Sequence, residues 1–177
     1  MMGPAPEDPT LAPWRELGER LAGYFAARSR GLLTSEFVLS DRTGKEFGRL
    51  RVHGPGGAQL EVGSTRAEIE RTTRYRMLTG GVQTLVAEPA RSAGPLKVRC
   101  GSRTYEIRLD LMRNTAVALA PAHKEAARID GGLTNRSYDA VFDAEDGGSL
   151  PVAVFLLYHT IALRRRVFLA GARAPSS

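Results

Sequence analysis

Cysteine is nearly absent from this chain of 177 residues: Cys100 stands alone, so no internal disulfide forms and nothing points to an oxidising compartment. Lysine is scarce too. Lys45, Lys97 and Lys124 are the only ones, so the net charge of +6 rests almost entirely on arginine. With the alanine and glycine load, that preference has the look of a GC-rich bacterial genome. Metal-site grammar is missing, because His53, His123 and His159 lie far apart without HxxxH or HxH spacing and Cys100 has no neighbouring ligand. There is no Gly-x-Ser-x-Gly elbow, and Gly54-Pro55-Gly56-Gly57 lacks the lysine and following helix of a phosphate loop. No enzyme class is nominated. Residues 1–9 are proline-rich and acidic without the apolar core of a secretory signal. They are expected to be a disordered tail, on a protein that is cytoplasmic or peripheral at the membrane.

What is present fits a globular domain, with 42% hydrophobic and 25% charged residues. The arginines are scattered from Arg15 to Arg173, with Arg164-Arg165-Arg166 the one consecutive run, which favours a solvated surface over a patch for nucleic acid, anionic lipid or acidic partners, and no nucleic acid is expected. Leu11, Trp14, Leu17, Leu21 and Tyr24/Phe25 recur at intervals of three and four, predicting an amphipathic helix over 10–30. From Glu36 to Asp143 the period becomes two. Phe37/Leu39, Leu50/Val52, Leu60/Val62, Tyr75/Met77, Val117/Leu119 and Tyr138/Ala140/Phe142 mark the inward positions of roughly eleven short strands. Gly101-Ser102 between Leu96–Cys100 and Tyr105–Leu109 suits a two-residue type II′ hairpin. Glu88 to Pro95 reads as a long loop, and Gly131–Asn135 as a turn in which Asn135 is a candidate for positive φ.

Leu150 to Leu163 decides the architecture. Ser149 suits a helix N-cap and Pro151 a first turn, and apolar residues then fall on every side of the helix. A helix apolar all round is buried all round. Its length, ~21 Å at 1.5 Å per residue, is short of a ~30 Å hydrocarbon core, and His159 with the three following arginines opposes a membrane span. The expected fold is therefore mainly β: an antiparallel barrel of about eleven or twelve strands spanning 34–166, threaded by a central helix at 149–166 and preceded by the N-terminal helix. Val154, Phe155, Leu156, Leu157 and Ile161 are its central core, and 167–177 is a tail.

Tyr138-Asp139-Ala140-Val141-Phe142-Asp143-Ala144-Glu145-Asp146-Gly147-Gly148, followed by Leu150-Pro151 and the apolar run, resembles the last strand, acidic turn and central helix of phospholipid scramblases. Phe37 to Gly44 is similar to the opening hairpin of the same group, the tubby C-terminal-like superfamily, which also holds tubby domains and LURP-one-related proteins. The resemblance is specific over about 138–163, and the cysteine cluster and proline-rich segment of scramblases are missing.

The resemblance implies a non-enzymatic barrel that binds a partner protein or an anionic phospholipid headgroup. Tubby domains hold phosphoinositides with clustered basic residues; here Arg71, Arg74 and Arg76 are the densest analogue. Asp143, Glu145 and Asp146 match the segment proposed to bind calcium in scramblases. A calcium loop would also need a distal bidentate glutamate, and carboxylates before a helix N-terminus are favourable without an ion. No cofactor is expected. The alternatives are a helix-grip domain holding an apolar small molecule beside the C-terminal helix, and an enzyme without a recognisable motif.

Overall fold

The computed structural model describes residues 8–31, 35–88 and 95–172. A 3-10 turn at Pro9–Leu11, capped by the Asp8 carboxylate on Thr10 N–H at 3.0 Å, leads into helix α1, Ala12–Leu21. Twelve antiparallel strands follow: β1 Tyr24–Ser29, β2 Glu36–Ser40, β3 Glu46–Val52, β4 Gly57–Val62, β5 Thr65–Arg71, β6 Tyr75–Thr79, β7 Val82–Glu88, β8 Leu96–Cys100, β9 Arg103–Asp110, β10 Thr115–Ala120, β11 Lys124–Gly131 and β12 Ser137–Phe142. Each pairs with its neighbours in sequence, and β1 pairs with β12, so the sheet closes into a barrel without an edge. Helix α2, Ser149–Ala172, runs inside it.

The N-terminal helix is shorter than its spacing suggests. Ala22 and Gly23 both take left-handed backbone, φ 51° and 82°, and end α1 at Leu21. Residues 24–29 leave the helical pattern because the barrel needs them: Ala27 opposes both Leu39 and Tyr138, filling the gap between β2 and β12. The aromatic pair Tyr24/Phe25 belongs to two faces of this strand, and Phe25 is buried. At the other end, the expected tail from 167 begins as helix, since α2 continues to Ala172.

From Leu150 to Ile161 nearly every side chain of α2 is shut away from solvent, and Val152, Ala153, Phe155, Leu156, Leu157 and Ile161 are 0% exposed. The helix packs closest to β10, β11 and β12. Alanines make that approach possible: Ala116, Ala118, Ala120, Ala127 and Ala140 line the wall. This reverses the expected phase of β10, where Val117 and Leu119 are half-buried outside and the alanines face inward. A helix inside a twelve-stranded ring leaves little room on its near side, so small residues win over larger apolar ones. The far wall carries the bulk, in Leu60, Ile69, Met77 and Leu85.

The Gly101 turn is as expected, with φ 60° at Gly101 and Cys100 opposite Arg103. Glu88 to Pro95 lies largely outside the described residues. Asn135 does not take positive φ; it is buried, and its side-chain amide donates to the Ile161 carbonyl at 3.4 Å. Ser149 is the first helical residue, and its hydroxyl donates to the Asp143 and Asp146 carbonyls instead of accepting from the helix. The outer wall carries charged pairs such as Arg28–Asp139, Arg51–Glu36 and Arg128–Glu125 around an apolar interior. That is the reverse of the pattern in a membrane-spanning barrel. No described helix is long and apolar enough to cross a membrane.

Candidate functional site: the arginine-rich end of the barrel

Alternating strand direction gives the barrel two dissimilar ends. At one, α2 begins and α1 lies across the opening. Gly18 of α1 sits against Phe142 and Leu150, and Trp14, Leu17 and Leu21 are buried beneath the helix. The Trp14 indole N–H donates to the Thr79 hydroxyl at 3.0 Å.

The acidic turn belongs to this capped end. Asp143 pairs with Lys124 Nζ at 2.9 Å and accepts the Glu145 N–H at 3.0 Å. The hydrogen bond from Lys124 is the main cause holding the Asp143 carboxyl below its usual range. Asp146, its side chain 6% exposed, accepts from the Tyr105 hydroxyl at 2.9 Å, Arg103 at 3.1 Å and the Gly148 N–H at 3.0 Å. Glu145 is exposed. Asp143 and Asp146 therefore engage different strands, and among the described residues no cluster of three or more potential ligands converges on a metal position. The turn fastens β9 and β11 to the start of α2.

A groove of about 590 Å³ opens between α1 and the turns beside it, floored by Trp14, Leu17, Phe47 and Leu60 and rimmed by Arg20, Asp41, Lys45 and Glu46. It lies at the barrel mouth under α1, where the inward-facing Leu60 and Ala67 reach it. The space beside α2, where a helix-grip domain would hold its ligand, is inside the closed barrel and filled with core side chains.

The opposite end is where α2 emerges, and the turns β1–β2, β3–β4, β5–β6, β9–β10 and β11–β12 lie around it. The arginines expected from β5–β6 divide here. Arg71 opposes Tyr75 in register and turns inward, its guanidinium 5.2 Å from the Tyr75 ring. Arg74 stands exposed at the tip, where Thr72 N–H bonds the Arg74 carbonyl at 3.0 Å. Arg76 opposes Glu70 on the outer wall and pairs with it at 2.9 Å. Strand alternation thus separates Arg76 from the other two.

The end gains arginines that spacing alone did not connect. Arg30, Arg113 and Arg136 come from three other turns, and Arg164, Arg165 and Arg166 from α2. Arg30, Arg74, Arg136 and Arg166 are exposed and form no ion pair among the described residues. Arg113 reaches Asp110 only at 3.8 Å. Arg164 is buried, donating to the Gly132 and Leu133 carbonyls at 3.4 and 3.3 Å, and desolvation lowers the Arg165 pKa. Apart from Arg164-Arg165-Arg166, no run in the sequence signals this collection, because the residues come from five separate segments.

His159 lies just inside. It stacks on Phe155 with ring centroids 5.7 Å apart, meets Tyr75 edge-on, and is 8% exposed. Burial is the main cause pushing its pKa down to about 4, with Arg71 and Arg166 adding to the shift. The ring is thus held neutral near pH 7, and its Nδ1 has no hydrogen-bond partner among the described residues. The Ser29 hydroxyl and the Asn135 side-chain carbonyl oxygen are also buried without partners among the described residues, and the Tyr138 hydroxyl and Asn114 side chain lie buried beside them. The last buried turn of α2 is thus ringed by unpartnered polar atoms, whereas the buried polar groups of the capped end, such as Tyr105, Thr84 and Ser149, are hydrogen-bonded.

No protein-family model and no curated protein matches the chain. A protein of Arabidopsis thaliana known from its X-ray structure is similar in fold, with a TM-score of 0.54 at 14% identity over 82% of this chain and 92% of that one. At that identity the likeness speaks for the fold alone.

Proposed function

We propose that the chain is a divergent, non-enzymatic member of the tubby C-terminal-like superfamily that binds phosphate-bearing anionic lipid headgroups at the end where α2 emerges. The closed barrel around a C-terminal helix and the β12–acidic turn–α2 sequence support the family reading. The observation that carries the binding reading is the gathering of Arg30, Arg74, Arg113, Arg136 and Arg166 at one end, with few carboxylates to neutralise them. Guanidinium groups suit phosphate because parallel N–H bonds match its oxygens. Each basic side chain near an anionic membrane contributes about 1 kcal/mol, so several together give binding that salt weakens. The protein is accordingly a peripheral one, working at the cytoplasmic side.

Co-sedimentation with vesicles of phosphatidylcholine alone, or with added phosphatidylserine or phosphoinositide, tests this at low and physiological salt. Selective, salt-sensitive partitioning onto the anionic vesicles is expected. Equal partitioning onto neutral and anionic vesicles would refute the headgroup reading. A second reading, binding of a small apolar molecule, draws on the groove beneath α1, whose volume of about 590 Å³ suits such a ligand. A rise in melting temperature with medium-chain amphiphiles, lost in Leu17→Arg, would favour it.

A further inference from the structure

Among the described residues, two large apolar side chains are almost fully exposed, Met112 at 96% and Leu133 at 97%, and the other exposed large apolar residues, Val82, Leu111 and Val141, are 51%, 36% and 49% exposed. Met112 and Leu133 tip the β9–β10 and β11–β12 turns, which stand side by side at the arginine-rich end because β10 pairs with β11.

The two tips are braced as one platform. The Gly131 N–H donates to the Asn114 carbonyl at 2.8 Å, and the Asn114 side-chain amide donates to the Gly132 carbonyl at 2.8 Å. Asn114 holds left-handed backbone, φ 54°, and is 2% exposed. From the helix side, Arg164 grips the Gly132 and Leu133 carbonyls. Beside the platform the α2 backbone continues through Arg165-Arg166 into a stretch of sequence Val-Phe-Leu-Ala-Gly-Ala, ending at Ala172.

We infer that Met112 and Leu133 insert into the acyl boundary of an anionic bilayer while Arg113 and Arg136 contact its phosphates; this rests on the headgroup reading above. Apolar tips flanked by cations match the layering of a membrane interface, where hydrocarbon lies just beneath an anionic shell. Held by Asn114 and Arg164, the tips need little ordering when they bind, so most of the transfer gain appears as affinity.

The test labels Met112→Cys, Leu133→Cys and, at the capped end, Ser64→Cys with an environment-sensitive fluorophore. Cys100 stays silent in the folded protein, since it is buried and burial pushes its thiol up to about 12. On phosphatidylcholine–phosphatidylserine vesicles, blue-shifted emission and quenching by brominated acyl chains are expected at 112 and 133 and not at 64. Met112→Asp with Leu133→Asp should lower partitioning on the order of 100-fold, the loss of two buried apolar side chains. Binding without a shift at 112 and 133 would overturn insertion and leave the headgroup reading standing. Failure of the unlabelled protein to bind would overturn both, and a stable complex with a protein through these tips but no vesicle would do the same.

Discussion

The two ends of this barrel solve opposite problems with the same strands. At the capped end, charges are used up internally: Lys124 meets Asp143, Arg103 and Tyr105 meet Asp146, and α1 covers the opening. At the end where α2 emerges, Arg30, Arg74, Arg136 and Arg166 form no ion pair among the described residues, several buried polar atoms lack partners there, and two apolar tips face solvent. The difference sets a capped end whose charges are satisfied internally against an open end that, on the function proposed above, carries recognition.

The largest expected effect breaks the core that both ends share. Truncation after Gly148 removes the buried face of α2, including Phe155, Leu156, Leu157 and Ile161, each worth ~1.5–3 kcal/mol on burial. The gross sum exceeds the ~5–15 kcal/mol by which domains are typically stable. Circular dichroism should show no cooperative melt, while a chain ending after Arg166 should melt near the full-length protein.

The next effect is a pH dependence arising just inside the arginine-rich end. The His159 pKa is about 4 in the folded protein and near its ordinary value of 6.5 when unfolded. Between those values the unfolded chain binds a proton that the folded one refuses, so stability falls as pH drops from about 6.5 to about 4. The total loss is of the order of 3 kcal/mol. Urea denaturation across that window should show the slope, and His159→Leu should flatten it. Below it, Asp143 contributes in the same direction: its lowered carboxyl pKa means that its stabilisation is lost as pH falls through the folded value.

A smaller cost is expected at the capped end. Asp146→Ala leaves the buried Tyr105 hydroxyl without its acceptor and should cost ~1–3 kcal/mol. Adding Tyr105→Phe should return part of that loss, which a double-mutant cycle in denaturant would measure. The smallest change is Arg76→Ala. Its pair with Glu70 has both side chains 40% exposed, so less than ~1 kcal/mol is expected, with vesicle binding unchanged.

These expectations rest partly on features legible in the sequence. The period-two run and the apolar segment from Leu150 sufficed for a closed barrel around a helix, because alternation and all-round apolarity each have one cheap burial solution. Residues 24–29 were not legible, since Tyr24/Phe25 continue a helical spacing and only ring closure makes them a strand. The phase of β10 was hidden for a related reason: pattern reading places Val117 and Leu119 inside, and the close approach of α2 selects the alanines. The site was the least legible. Arg71, Arg74 and Arg76 are neighbours in sequence but divide between the inner face, a turn tip and the outer wall. Arg74, Arg113, Arg136 and Arg166 come from four segments that only the folded ring assembles.

The central claim is that position in the fold, and not net charge, determines where the protein meets an anionic surface. Two double charge reversals test it most directly: Arg74→Glu with Arg136→Glu at the arginine-rich end, and Arg42→Glu with Lys45→Glu at the capped end. All four side chains are exposed, and the two variants change the net charge equally. In co-sedimentation with phosphatidylserine-containing vesicles, the first pair should lose most of the binding and the second should retain most of it. Equal losses from both pairs, or a greater loss from the capped end, would contradict the account.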